Sequence, residues 1–569
     1  MLDKLSLTVI KSIATHLKDC FADAVMLSLV CKRLFEEREK YIVLDNDQLP
    51  KDTELNNIKK GSKLQSYKQI ITNHLINKPL SILIYSICKI ANYKYHQYDA
   101  DRLFLTKRSI ADQSMIDEIL ALPNIGKVTF RDTTKMSSFK QSFWKSAIRL
   151  FEGLKAKGVT SLHYPSLWII KPFPSVVQWS TMALDNNERC DFEDFEDADE
   201  GDHHPNPPLA PGTLPSSLTS ISISNYIFES FKVLPQGIKI MDLRYSSHGK
   251  PIKPGDLPSS LETLILSRYV SAAAFTPGSL PPRLKTLEFN WPYDHVLDDT
   301  ILPQSITCLD LKSGCKKPLG PLPDSLTDLR INGRATGSIK HRPLIKLLLK
   351  SYRSINPFVT FDQLTDLTFN DLEPHEIPNI NSKRFPSLRM LDLYVVLKGA
   401  TPADEPTIPD DFMVDVSTLP STLKYLSLDS SFGPRFRGIP NGVETFRLGA
   451  SYRHEVKFNY ALLPSSITSL ILYGTHFRLP NDGPVPWPLP PSIRKIEFIL
   501  SPFPPSLFLR YLPTTIQELH FSITNKRKTT YVDLQLRRIT DTKFFALVTS
   551  PALIDSGFMD INTAHCTKE

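Results

Sequence analysis

At 569 residues the chain is too long for one ordinary domain, and 41% hydrophobic with 22% charged residues is the composition of a folded protein rather than a disordered one. Its formal charge of +7 is spread thinly, with Lys526-Arg527-Lys528 as the clearest basic cluster, so the concentrated stripe of a nucleic-acid binder is missing. No run of about 18 apolar residues offers a membrane span, and Lys4, Lys11, His16 and Lys18 interrupt the apolar core that a secretory signal would need.

The first elements are helical. Leu5, Val9, Ile10, Ile13 and Leu17 share one helical face, and Ala24, Leu27, Cys31, Leu34 and Phe35 form a second stripe. Two or three short helices within about 35 residues bury too little surface to stand alone. These faces therefore need another chain or the residues that follow. The run Leu27-Ser28-Leu29-Val30-Cys31-Lys32-Arg33-Leu34-Phe35 resembles the end of an F-box, whose third helix begins V-C-[KR], and the Leu5 to Leu17 stripe resembles its first part. Three positions depart from that pattern: Leu5-Ser6 replaces the usual Leu-Pro, Thr8 replaces an acid, and Leu34 replaces the common Trp. The resemblance implies that residues 1–45 dock a Skp-type adaptor of a cullin ubiquitin ligase through Leu5, Val9, Ile10, Ile13, Leu17, Leu27, Val30, Cys31, Leu34 and Phe35. Some of these pack within the segment itself. A plain helical cap on the repeats below is the alternative.

Residues 46–205 are less regular and read as a linker region. Leu122-Pro123-Asn124-Ile125 with Val128 and Phe130, and Val159 with Leu162 and Tyr164, are candidate degenerate repeats. Within the loop 185–205, the acidic run Asp191 to Asp202 precedes Pro205, Pro207 and Pro208. Such a run is a solvated loop by its charge. The sharper alternative, a calcium site, lacks the D-x-D-x-D-G spacing.

Proline opens the next region, with 46 prolines against 22 glycines, many of them after Leu. Leu214-Pro215-Ser216-Ser217-Leu218-Thr219-Ser220-Ile221-Ser222-Ile223 recurs as LPxxLxxLxL from Leu234, Leu257, Leu280, Leu302, Leu322, Leu419, Ile439, Leu463, Leu489 and Leu512. Weaker copies keep only the later apolar positions, at Leu344-Leu347-Leu349, Leu364-Leu367-Phe369 and Leu388-Leu391-Leu393. The last two apolar positions are spaced i, i+2, which is one face of a strand. The Leu-Pro step ends the preceding segment and presets a turn. Each copy thus offers one short strand, a turn and a loop with Gly and Pro but no helical period. Short strands do not survive alone, so the copies must stack in parallel with the Leu/Ile ladder as core. Ile221, Met241, Leu264, Leu287, Leu309, Leu329, Leu391, Leu426, Leu470 and Leu519 are expected to point inward.

The unit Pro251 to Leu264 resembles the FNIP repeat, a relative of the leucine-rich repeat. The resemblance rests on the LPxxLxxLxL half, because Phe-Asn precedes a Leu-Pro only at Phe458-Asn459. The segment Leu536 to Phe545 resembles the closing segment of such proteins and would cap the last rung. The expected fold is multidomain α+β. A small N-terminal F-box-like helical segment precedes a β-rich leucine-rich-repeat-like solenoid with a parallel sheet over 206–523, and residues 524–569 form a C-terminal cap.

Catalytic motifs are missing: there is no GxSxG, Walker loop, GxGxxG, HExxH, HRD or DFG. The seven cysteines (Cys20, Cys31, Cys88, Cys190, Cys308, Cys315 and Cys566) are odd in number and unpaired in spacing. No Cys/His group has zinc spacing, and His203-His204 reads as loop. The expectation is a non-catalytic protein of a reducing cytoplasmic or nuclear compartment. It has no cofactor or metal and no nucleic-acid or membrane partner. An F-box joined to repeats resembles the substrate receptor of a cullin-type ubiquitin ligase. Its partners would be the adaptor and an unknown protein substrate. A repeat scaffold with no ubiquitin link is the alternative. The residue between the inward positions of each strand faces the open side: Ser222, Asp242, Ile265, Glu288, Asp310, Arg330, Leu348, Thr368, Asp392, Ser427, Arg447, Ile471, Glu497 and His520. With Arg244 and Lys312 nearby, Asp242, Ile265, Glu288, Asp310, Arg330, Leu348, Asp392, Arg447, Ile471 and Glu497 form the expected substrate-binding face.

Overall fold

The computed structural model of the chain describes residues 80–86, 103–106, 113–122, 124–132, 141–164, 181–185, 214–227, 230–247, 251–266, 275–315, 317–335, 339–397, 412–430, 436–449, 460–473, 489–501, 512–524, 531–550 and 553–560. The segment 1–45, with all ten adaptor-docking candidates, and the acidic run Asp191 to Asp202 lie outside the described residues. The described residues fall into two compact units, one ending at Leu393 and one beginning at Tyr394.

In the first unit the elements run β1 (Leu80–Ser86), β2 (Leu103–Thr106), α1 (Gln113–Ala121), β3 (Ile125–Asp132), α2 (Gln141–Ala156), β4 (Ser161–Tyr164), β5 (Thr181–Asp185), β6 (Ser220–Ile227), β7 (Ile240–Ser247), β8 (Thr263–Leu266) and β9 (Thr286–Phe289). They continue as β10 (Cys308–Leu311), β11 (Gly314–Cys315), β12 (Asp328–Ile331), β13 (Arg334–Ala335), β14 (Lys346–Leu349), β15 (Asp366–Leu372) and β16 (Met390–Val395), which reaches the boundary. β1 lies between β2 and β3. From β3 every strand is parallel to its neighbours in the order β3, β4, β5, β6, β7, β8, β9, β10, β12, β14, β15.

The LPxxL half of each repeat is a β-turn that begins at its proline. The Pro258 carbonyl accepts the Leu261 N–H at 3.1 Å, and Pro281 with Leu284 and Pro303 with Ile306 repeat that bond. The turn aims the following strand at its predecessor: the N–H groups of Lys285 and Thr286 both donate to the Glu262 carbonyl, at 2.8 and 3.0 Å. Register is therefore set one repeat at a time. Met241, Leu264, Leu287, Leu309 and Leu329 stand side by side, and each is completely buried. Leu243, Leu266, Phe289, Leu311 and Ile331 form a second buried ladder two residues on, and the turn residues Ile238, Leu261, Leu284, Ile306 and Leu326 form a third. Phe289 also packs against Tyr293, with ring centroids 4.6 Å apart. All ten residues expected to point inward do so.

Two features go beyond the sequence expectation. The repeats predict connections without helical period. Among the described residues this holds from 214 onward, where only 3-10 turns such as Phe231–Val233 and Tyr352–Ser354 interrupt them. Before 164 the described crossovers, α1 and α2, are helical. α1 buries Met115, Ile116 and Ile119, and α2 buries Leu150, Phe151 and Leu154. Gly153 lets the two helices touch, since a Cβ there would stand 2.5 Å from Leu120 Cδ2. The second feature is at the end of the chain.

The second unit holds β17 (Val414–Asp415), β18 (Tyr425–Ser430), β19 (Phe436–Arg437), β20 (Thr445–Leu448), β21 (Ser469–Tyr473), β22 (Lys495–Ser501), β23 (Glu518–Thr524), β24 (Tyr531–Arg538), β25 (Lys543–Ser550) and β26 (Leu553–Asp560). β18, β20, β21, β22 and β23 repeat the parallel pattern. β24, β25 and β26 then turn antiparallel. A hairpin needs only a short turn, whereas a further parallel strand needs a full crossover. Leu534 and Leu536 of β24 continue the core, both fully buried.

Candidate functional site

Strand alternation sends every second side chain away from the leucine ladders. In the first unit the open face carries a row in strict register: Asp242 beside Ile265, then Glu288, Asp310, Arg330, Leu348 and Thr368. Neighbours in the row are about 4.8 Å apart at the backbone. Ser222 precedes Asp242. Asp392 extends the row on β16, where the Met390 N–H donates to the Thr365 carbonyl at 2.9 Å. Arg244 lies further along β7. Lys312 follows β10, its N–H donating to the Phe289 carbonyl at 3.0 Å.

The second unit carries its own row of Ser427, Arg447, Ile471, Glu497 and His520. Arg447 Nη2 donates to Tyr473 Oη at 2.8 Å. His520 Nδ1 lies 3.7 Å from Glu497 Oε1. The expected face is thus two rows, one on each compact unit.

The charges of the first row are organised by pairs. Lys312 reaches across to Glu288. Arg330 closes a two-point fork on Asp328, with Nε–Oδ1 at 2.9 Å and Nη2–Oδ2 at 2.7 Å. Asp310 lies between Glu288 and Arg330 and keeps 9% of its surface exposed. Burial pushes its carboxyl above the usual range, and Glu288 pushes the same way. Cys308, two residues earlier on the same strand face, has its thiol pushed up to about 11, first by burial and then by Asp328. At neutral pH it is a thiol, so it is no nucleophile.

Asp328 and Cys308 were not among the sequence candidates. The strand period of two contained the signal, since the open face includes the residue two before each row member. Thr263, Thr286 and Lys346 occupy that position on neighbouring strands. Among the described residues no group of three or more His, Cys, Asp or Glu side chains is arranged to hold a metal ion. Nor is any helix among them long and apolar enough to cross a membrane.

Stacked parallel strands joined by turns, with leucine ladders inside, define a leucine-rich-repeat-like β-solenoid. Residues 273–314 match the FNIP Repeat family, a stretch that includes Glu288, Asp310 and Lys312. A solved structure titled "The crystal structure of CroV588 a novel circular LRR protein structure" is similar to this chain at 18% identity and a TM-score of 0.41, over 72% of the chain. The chain spans 58% of that structure's length. No curated protein matches the chain.

Proposed function

We propose that this chain is the non-catalytic substrate receptor of a Skp-cullin-F-box ubiquitin ligase in the cytoplasm or nucleus. Residues 1–45 dock the adaptor, and the open faces of the repeats hold a protein substrate. One observation carries the reading: F-box-like wording, Val30-Cys31-Lys32 after the Leu5 to Leu17 stripe, is joined in one chain to a repeat sheet with a charged, side-chain-rich open face. Such a receptor makes and breaks no bonds. It raises the local concentration of substrate beside the conjugating enzyme, which is proximity catalysis by another protein's chemistry.

The competing reading is a repeat scaffold with no ubiquitin link. Adaptor binding separates the two. Full-length protein should co-purify with a Skp-type adaptor, and Ile13→Glu should abolish this, because a buried unpaired charge is costly. Failure of the unaltered chain to bind the adaptor, or binding that survives both Ile13→Glu and removal of residues 1–45, leaves the scaffold reading in place.

A further inference from the structure

Three acids and two bases meet on the open face of β9, β10 and β12, and both bases are already engaged. Lys312 pairs with Glu288 and Arg330 forks onto Asp328. Asp310, in register between Glu288 and Arg330, is left with no hydrogen bond or ion pair among the described residues. It is nine-tenths buried, at 9% exposure, and strand alternation places it on the open face. A largely desolvated carboxylate without a partner is costly. Its position offers a ready contact to any cation that approaches along the face. Two strands away on either side, about 10 Å, stand the half-buried aliphatic side chains of Ile265 and Leu348.

We propose that Asp310 is the anchor point for a basic side chain, Lys or Arg, of the protein held on this face. The partner segment crosses the strands in extended form. Its ammonium or guanidinium group sits on Asp310, and its neighbouring side chains rest on Ile265 and Leu348. The incoming base makes the third cation for the third acid. A metal ion suits the position less well, because Glu288 Oε1 and both Asp328 oxygens are already committed to Lys312 and Arg330. This inference rests on the open face being a protein-binding surface.

The test is a phage-displayed library of random peptides panned on the full-length chain, with recovered peptides remade synthetically and titrated against variants. Peptides bound to the face are recognised by loss of binding to Leu348→Lys. Those peptides should share a Lys or Arg at one position. Their affinity should fall about ten- to a hundredfold on Asp310→Asn, the range for a hydrogen bond to a charged group. Panning on Asp310→Lys should select an acid at that position instead. Asn is nearly isosteric and removes a desolvated charge, so Asp310→Asn carries the test even if the lysine variant does not fold. Face-bound peptides with no basic position, or with equal affinity for Asp310→Asn, overturn the inference and leave the binding surface standing. Recovery of no peptide sensitive to Leu348→Lys overturns both.

Discussion

Two effects act in the same direction on Asp310. Burial disfavours its carboxylate and Glu288 repels it, and together they outweigh the attraction of Lys312 and Arg330. An acid whose folded pKa is raised binds its proton more tightly folded than unfolded. Its charge therefore costs stability in full above the folded pKa, and the cost shrinks as pH falls below that value and is gone below the unfolded one. Asp310→Asn should raise Tm at neutral pH, with the gain shrinking as both proteins are acidified. Calorimetry across a pH series checks this, and an equal or lower Tm for the variant at neutral pH contradicts it. Arg538 shows the opposite situation, a half-buried cation with every arm used. Nε donates to the backbone carbonyl of Ile516 at 2.6 Å, Nη1 to that of Asp541 at 2.7 Å and Nη2 to that of Pro513 at 3.2 Å. Its guanidinium also lies 4.4 Å from the Phe544 ring centroid. These bonds tie the last turn of the repeats to the closing strands. Arg538→Met keeps the stem and strips the bonds. It should cost about 1–2 kcal/mol after allowance for partial exposure, seen as faster hydrogen exchange in β24.

The repeat itself tolerates change unevenly. The position before the last Leu of LPxxL is often serine, and its hydroxyl can donate one repeat back. Ser260 Oγ reaches the Ile238 carbonyl and Ser305 Oγ the Leu284 carbonyl, each at 2.6 Å. Two copies carry glycine there, for different reasons. At Gly237 an added Cβ would sit 3.6 Å from the Leu218 carbonyl oxygen, ordinary contact distance. At Gly442 it would sit 2.1 Å from the Ser421 oxygen, inside the backbone. Gly237→Ser should therefore be neutral or slightly stabilising, while Gly442→Ser should cost about 1–3 kcal/mol or prevent folding. Urea unfolding midpoints of the two variants decide this, and equal midpoints would show that the turns are interchangeable. Inside the ladder, Leu287→Ala or Leu309→Ala should cost about 2–5 kcal/mol, since each side chain is completely buried. Because each repeat packs on its immediate neighbours, the added hydrogen exchange in Leu287→Ala should concentrate in β8, β9 and β10.

At the scale of the whole molecule the proposed function is divided along the chain. A receptor of this kind must hold adaptor and substrate at once through independent surfaces. Ile13→Glu should therefore lose the adaptor while retaining the unfolding profile and the peptide binding of the unaltered chain. Loss of peptide binding together with adaptor binding would mean that the N-terminal segment supports the repeats, as a cap does. The open face itself is carried as two rows. The candidates Asp242 to Asp392 belong to the unit ending at Leu393, and Arg447, Ile471 and Glu497 belong to the other.

Read alone, the sequence determined the strands of the repeats, their parallel stacking, the ten inward residues and the residues of the open face. These follow from a short period, Leu-Pro to Leu-x-Leu, and from contacts between one repeat and the next, so the local pattern is enough. Only the tertiary structure decided the rest. The helical crossovers α1 and α2 pack with Leu120 against Gly153, a contact across more than thirty residues that no repeat encodes. The antiparallel closure of β24, β25 and β26 depends on what the last rung must cover. Asp310 becomes the acid left over because Lys312 and Arg330 turn toward Glu288 and Asp328. Arg330 takes Asp328 two residues away on its own strand, but Lys312 reaches Glu288 across strands about twenty residues apart in sequence, and the order of the residues along the chain does not contain that choice.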